Sequence, residues 1–407
     1  MQKKRLPSSM TVRELPRGVI ALGFVSMFMD ISSEMIHSLL PIFLVSVLGV
    51  STFAVGVIEG VAEATASITK LFAGAVSDWI GRRKPLVLTG YGLAAMTKPL
   101  FPLAQGVGVV LLARFIDRIG KGIRDAPRDA LLADLTSDGQ RGAAYGLRQA
   151  LDTAGACAGP GLALALMMLT GDDFRLVFWS AVAPAFIAVG LIVFGVREPI
   201  AKAPATERRY PVRRREMVRL GTGYWTIVAF GTFLTLARFS EAFLLLRAQS
   251  VGLAARWIPA VLVVMNVIYA AGAYPFGRLS DRMSRRSLLA LGIGFLIAAD
   301  LILAAAGNAW LAFAGAAVWG LHMATTQGLL TTIVADAAPA DLRGTAFGLF
   351  NLMTGLALLL ASALAGLLWT AFGPSATFLT GASLSGAAMI GLLAQTKRQA
   401  SSPGRRP

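Results

Sequence analysis

Residues 74–84 read GAVSDWIGRRK, and residues 277–286 read GRLSDRMSRR. Gly74, Ser77, Asp78, Arg82 and Arg83 recur at Gly277, Ser280, Asp281, Arg285 and Arg286, a shift of 203 positions. A second pair of stretches agrees. ADLTSDGQRGAAYGL starts at Ala133 and ADAAPADLRGTAFGL at Ala335, a shift of 202. There Asp134, Arg141, Gly142, Ala144, Gly146 and Leu147 match Asp336, Arg343, Gly344, Ala346, Gly348 and Leu349 without a gap. Two separate matches at nearly one offset indicate a duplicated unit.

The material around these loops is apolar. Of 407 residues, 56% are hydrophobic and 15% charged, and the mean hydropathy is +0.66. Soluble domains carry about 25% charged residues, so the chain reads as an all-α membrane protein. Runs near the ~20 residues that cross a bilayer recur, and the ~10-residue alternating segments of a transmembrane barrel do not. Twelve transmembrane helices are expected, near 17–45, 52–79, 85–104, 107–134, 141–169, 174–195, 221–249, 256–280, 286–306, 308–336, 343–370 and 374–395. They divide into a tail (1–16), a six-helix bundle (17–195), a basic linker (196–220), a second six-helix bundle (221–395) and a tail (396–407).

The net charge of +16 would suit nucleic acid, but its placement does not. Lys3, Lys4, Arg5, Arg13 and Arg17 precede the first span. Arg82, Arg83 and Lys84, then Arg197 to Arg219, then Arg282, Arg285 and Arg286 fill alternate loops, and Lys397 to Arg406 end the chain. This is the positive-inside pattern, with both termini cytoplasmic in an inner membrane and basic loops able to touch anionic lipid. The single Cys157 has no partner for a disulfide. No G-x-x-x-x-G-K-[ST] loop appears, so nucleotide is not expected to drive the protein. No enzymatic constellation, cofactor or metal site is visible, and His37 and His322 share no metal-ligating spacing.

Charges inside the spans are the unexpected feature. RFIDRIGKGIRDAPRDALLAD, residues 114–134, holds Arg114, Asp117, Arg118, Lys121, Arg124, Asp125, Arg128 and Asp129 before it ends at Asp134. A charge at the bilayer centre costs about 2.5–3.5 kcal/mol on insertion scales, so these must pair, line water or lie near a span end. Asp117 and Lys121 have the favourable i, i+4 order. Asp30, Glu34 and His37 share a face of the first span. The second span adds Glu59, Glu63 and Lys70, the fifth Arg148 and Asp152, and the seventh Arg238, Glu241 and Arg247. A carboxylate that alternates between a dry bundle and a cationic neighbour binds and releases a proton. Asp30 and Glu34 are the chosen carriers, and His37 reads as a packing residue.

The motif Gly74, Asp78, Gly81, Arg82, Arg83, Lys84 resembles the signature loop of the major facilitator superfamily. Its weaker copy has Ser284 where the first has Gly81. The resemblance implies two bundles rocking around a central site. It implies that Asp78 meets Arg343 and Gly344 in a gate, and that Asp281, with Arg282, meets Arg141 and Gly142. A carboxylate at a helix N-terminus gains roughly 0.3–1 kcal/mol, which suits a contact that must open. Arg114 stands where drug exporters of the superfamily have a proton-coupling arginine, with Asp117 and Arg118 replacing the Gln and Gly that follow. Gly155, Gly159 and Pro160 are similar to the fifth-span motif of its antiporters, a slight indication of export.

The sequence therefore predicts a monomeric, proton-coupled secondary transporter of a small polar or charged solute, its candidates being Asp30, Glu34, Glu59, Glu63, Arg114, Asp117, Arg118, Lys121, Arg148, Asp152, Arg238 and Glu241. Multidrug efflux of lipophilic compounds, or a non-transporting receptor or scaffold of the same fold, are the alternatives.

Overall fold

The computed structural model describes residues 15–137, 140–198, 214–280, 283–339 and 342–400. Its first half holds six spans: Arg17–His37 extended by Leu40–Ile42 and Phe43–Val47; Thr52–Ile80; Lys84–Thr97 with Leu100–Leu103; Val107–Asp134; Arg141–Thr170; and Phe174–Ser180 with Val182–Gly195. The second half holds Gly221–Ala237 with Ala242–Ser250; Pro259–Ser280; Arg285–Ala305; Ala309–Ala337; Arg343–Phe372; and Pro374–Ala400. A short helix, Arg214–Arg219, precedes the seventh span, inside the stretch expected to be all linker. Eight of these helical stretches are long and apolar enough to cross a membrane. The second, third, fourth and tenth spans complete the twelve; the second and fourth carry buried charge and the third is interrupted at Lys98.

The ends are set by ordinary capping chemistry. Ser51, Ser284 and Asn308 accept from the backbone N–H three residues on, at 3.3, 3.1 and 3.0 Å, which satisfies donors the helix cannot. Gly81 ends the second span at φ 68° and Gly171 the fifth at φ 67°, a region that glycine enters without a Cβ penalty. The repeat puts Ser284 at the place of Gly81 because there it caps the following helix rather than ending the preceding one.

Four spans are broken. The first and third break beside Pro41 and Pro99, the sixth just before Pro184, where a ring in place of an N–H disrupts the ladder. The seventh breaks at 238–240 without Pro or Gly. Two of its freed N–H groups find hydroxyls: Ser240 N–H donates to Ser362 Oγ on the eleventh span at 3.2 Å and Ala242 N–H to Ser240 Oγ at 3.3 Å. Irregular backbone at membrane depth is tolerated only when protein or a water-filled cavity surrounds it.

The hydrophobic core shows how the halves meet. Call the end with Arg82–Lys84 and Arg285–Arg286 the basic end. One large cluster contains residues of both halves, and its first-half members (Phe43, Val55, Ile58, Phe101, Val110, Met167 and Phe178 among them) all lie away from the basic end. Nearer the basic end each half has its own cluster: Val19, Leu22, Tyr91, Leu131 and Ile192 in the first, and Tyr224, Val228, Val334 and Ala346 in the second. The halves are thus joined in one core at the far end and cored separately at the basic end.

Small residues make the joint close. The second span lies on the eleventh, with Gly56 against Ser362 O, Gly60 with its Cβ position 2.8 Å from Leu359 Cα, Gly355 with its own 2.5 Å from Ser67, and Gly366 2.6 Å from Thr52 O. Polar contacts cross at the same level: Thr52 to Thr370 (2.9 Å), Gln249 Nε2 to Ser46 (2.6 Å) and Arg256 to Asp172 (2.7 Å). Deeper in, Asn266 Nδ2 donates to Ala156 O at 2.9 Å, between the eighth and fifth spans. Two arginines secure far-end helix termini, which leave carbonyls unpaired. Arg175 donates to Pro102 O and Ala104 O, and Arg247 to Leu303 O, Ala304 O and Ala306 O.

Candidate functional site

The charges of the first half form a connected network in the middle of the bundle. Arg114, on the fourth span, donates to Glu59, on the second, at 2.5 Å, and both are almost fully buried. His37 bridges two acids: its Nδ1 is 3.4 Å from Glu34 and its Nε2 3.6 Å from Glu59. One helix turn along, Arg118 reaches Glu63 at 3.2 Å and Asp117 at 3.5 Å. Spacing pairs Asp117 with Lys121 along its own helix; in the structure its partner is Lys98, across the bundle at 3.0 Å. Burial explains the change: Lys98 is 2% exposed and must have an anion, whereas Lys121 is partly exposed and makes no ion pair among the described residues.

Toward the basic end the network continues. Arg124 stacks over Tyr91 at 4.4 Å and approaches Asp125 at 3.9 Å. Arg128 donates to Asp129 and Ser26, at 3.2 and 3.0 Å. Arg148 pairs with Asp152 at 3.0 Å, the i, i+4 contact expected, and lies 3.6 Å from Asp129. Asp30 makes no ion pair among the described residues; the charges that act on it are Asp152, Arg124, Arg128 and Lys121. Between their ends the first-half spans hold nine Lys and Arg (70, 98, 114, 118, 121, 124, 128, 148, 175) and nine Asp and Glu (30, 34, 59, 63, 78, 117, 125, 129, 152). Such balance is what allows so much charge within a bilayer.

The second half meets this network at the break of the seventh span. Glu241 faces His37, Glu34 and Glu63 across the joint, and Arg238 lies beside it on the same segment. Arg238 and Glu241 are both partly exposed. The fifth-span glycines make room for the acids of the first span. Cβ atoms at Gly155 and Gly159 would lie 3.0 Å from Asp30 Cβ and 2.7 Å from Glu34 Cβ. The motif lets the fifth span sit directly against the two carboxylates.

The described loop residues make contacts within their own half. Arg82 lies 3.7 Å from Glu198, and the Arg83 backbone N–H donates to the same carboxylate. Arg83 also donates to Ser77 at 2.7 Å and lies 3.6 Å from Asp134. In the second half Arg285 pairs with Asp336. These contacts stay within one half. They join the two repeated stretches to each other, the arginines of one to the aspartate of the other. Gly74 packs near Ala126, and Arg343 donates to Ala335 O at 3.3 Å. Asp281, Arg282 and the Asp78 side chain lie outside the described residues, and Arg141 begins the fifth span.

Reading the sequence misses Lys98, Tyr91 and Ser26, and takes His37 for packing. Lys98 sits in an otherwise apolar stretch, and a lone buried Lys is itself a signal that an acid is near. Among the described residues no cluster of three or more His, Cys, Asp or Glu is arranged to hold a metal ion.

A profile of the Major Facilitator Superfamily matches residues 22–266 and, in a second overlapping match, 228–407. The chain belongs to the major facilitator superfamily. Within it, the uncharacterized MFS-type transporter MJ1317 of Methanocaldococcus jannaschii is 32% identical over 92% of this chain and 93% of its own length. The multidrug resistance protein MdtH of Yersinia pestis is 31% identical over 42% of this chain and 40% of its own. Among solved structures, the nucleoside transporter NupG superposes with a TM-score of 0.78 at 14% identity, covering 92% of this chain and 99% of that one. A POT family transporter in complex with 5-aminolevulinic acid gives 0.77 at 11%, covering 94% and 96%. The superfamily fold, twelve helices in two pseudo-symmetric bundles, is the one described above, and the protein is a multi-pass membrane protein.

Proposed function

We propose that this superfamily member is a proton-coupled secondary transporter of a small zwitterionic or anionic solute, with export slightly favoured by the fifth-span glycines. The observation that carries the reading is the mixed-charge network shared between the halves, with Glu34, Glu63, Lys121, Arg238 and Glu241 only partly buried at its edge. A lipophilic substrate has no use for such a wall, since each unpaired charge must stay hydrated. A solute carrying both signs can replace that water with Lys121 or Arg238 on its anionic end and Glu241 on its cationic end. Glu34 and Asp30 are the proton carriers, held against the fifth span. Glu59, Arg114, Asp117 and Arg118 hold the wall in shape.

We place the basic loops and both termini on the cytoplasmic side of the inner membrane, by charge asymmetry. The end at which the halves are cored separately is then the inner one, and we read the described state as inward-facing. The working unit is taken as one chain.

The test is thermal stability of the purified protein against charged metabolites, zwitterions and lipophilic cations at pH 5.5 and 7.5. A ligand that binds the folded state raises Tm by mass action. Zwitterions or anions are expected to do so, with a pH-dependent shift that Glu34→Gln removes. Stabilisation by lipophilic cations alone would overturn the reading in favour of multidrug efflux, the second reading, which the partial similarity to MdtH favours.

A further inference from the structure

The network above leaves one buried acid unused. Asp300, on the ninth span, is fully buried, and both carboxylate oxygens lack any hydrogen-bond partner. It makes no ion pair, and no charged side chain among the described residues faces it. An isolated ionised carboxylate in a low-dielectric interior is too costly to persist, and native structures rarely leave a buried polar group unpaired without a reason.

Its surroundings supply oxygen. Gly381, on the twelfth span, is the point of convergence: its Cβ position lies 2.7 Å from Asp300 Oδ2 and 3.2 Å from the Ala237 carbonyl oxygen. Ala237 is the last residue of the first half of the broken seventh span. Its carbonyl accepts no backbone hydrogen bond among the described residues, and it lies at the partially negative end of that half-helix. Ser385, one turn along from Gly381 and on the same face, has a buried hydroxyl without a partner. Phe239 closes the region, with Cε1 3.1 Å from the Gly381 Cβ position, and stacks on Trp319 and Phe378.

We propose that Asp300 and the Ala237 carbonyl form a monovalent-cation site, for a proton or a sodium ion, built on the break of the seventh span. All the unpaired acceptors are hard oxygens, the ligands such cations take. The elements around it contribute an aromatic wall, a glycine and a hydroxyl; Arg238 follows Ala237 on the seventh span and His322 lies beside Trp319 on the tenth, and neither acts on Asp300. The end of a discontinuous helix near the membrane middle is where transporters place coupling ions. Because Arg238 and Glu241 follow directly, occupancy of the site biases the segment that meets the first-half network. The site is separate from Asp30 and Glu34, and does not depend on their role.

The experiment is Tm of the purified full chain and of Asp300→Asn, across pH 5.5 to 8.5 in choline chloride, and at pH 8.5 with sodium chloride replacing choline chloride at fixed ionic strength. Either of two responses supports the site and names its cation. Stabilisation by acid that is smaller in Asp300→Asn means a proton. A saturable rise with sodium that Asp300→Asn abolishes means sodium. Responses identical in the two proteins overturn the proposal. Should Asp300→Asn not fold, Gly381→Ala serves, since its methyl group crowds both oxygens: the same response must weaken, and an unchanged one overturns the site. Loss of zwitterion binding in the earlier panel leaves this result untouched, so the two readings fail separately.

Discussion

Arg114 Nη2 lies 2.5 Å from Glu59 Oε2 with both side chains all but sealed from solvent. The pair ties the second span, which forms the joint between the halves, to the fourth, which forms the charged wall. Removing one partner of a buried pair leaves an uncompensated charge and costs about 3–5 kcal/mol. Arg114→Met alone is therefore expected to lower Tm sharply. Arg114→Met with Glu59→Leu should recover most of that loss while transport stays absent. A double variant no more stable than the single would show that the pair is not the unit.

The fifth-span glycines give a cleaner functional test. A methyl group at Gly159 would press on Glu34, 2.7 Å away, whereas at Gly161 it would meet open space. Gly159→Ala is expected to cut transport at least tenfold, about 1.4 kcal/mol in the barrier, and to lower Tm as well, since the methyl also lies 2.8 Å from the Ile31 carbonyl oxygen. Gly161→Ala on the same helix should leave both intact. Equal effects would sink the idea that the motif positions the acid.

The conformational state is open to cross-linking. Thr52 and Thr370 hydroxyls are 2.9 Å apart across the far-end joint, so the γ-atoms of cysteines placed there can meet. In a Cys157→Ala background, cysteines at these positions should cross-link under mild oxidation without substrate, and the cross-link should halt transport until reduced. Failure to link in the resting protein would mean that the far end is open.

The exposed loop pair Arg285 with Asp336 should matter little to stability. Their side chains are 48% and 51% exposed, and such pairs are worth about 0–1 kcal/mol. Arg285→Ala is expected to shift Tm by a degree or two at most, read by thermal denaturation at low and high salt.

The sequence makes the helices and their ends legible because apolar length and capping residues are local signals. Val107–Asp134 is found from its own residues, and Gly81 and Gly171 mark their turns without help from the rest of the chain. The partners of the charges are not local. Lys98 and Asp117 are brought together by the packing of the third span on the fourth, and Glu59 and Arg114 are 55 positions apart. Spacing rules see only neighbours on one helix, so Asp117 is assigned to Lys121 and Lys98 is passed over. The break of the seventh span is hidden for a related reason. No proline announces it, and the hydroxyl that supports it, Ser362, belongs to the eleventh span. The duplication points to Asp134 and Asp336 without saying that each meets the basic loop of its own half.

The glycines between the second and eleventh spans have a mechanical consequence. Interlocking side chains would make two helices ratchet, since a knob must leave one hole before entering the next. Gly56, Gly60 and Gly366 remove the knobs and leave backbone against backbone. The far-end part of the seam is therefore built as a plain bearing, with no side chain there that must step from one hole to the next. Enlarging any one of these positions should therefore slow turnover before it weakens binding.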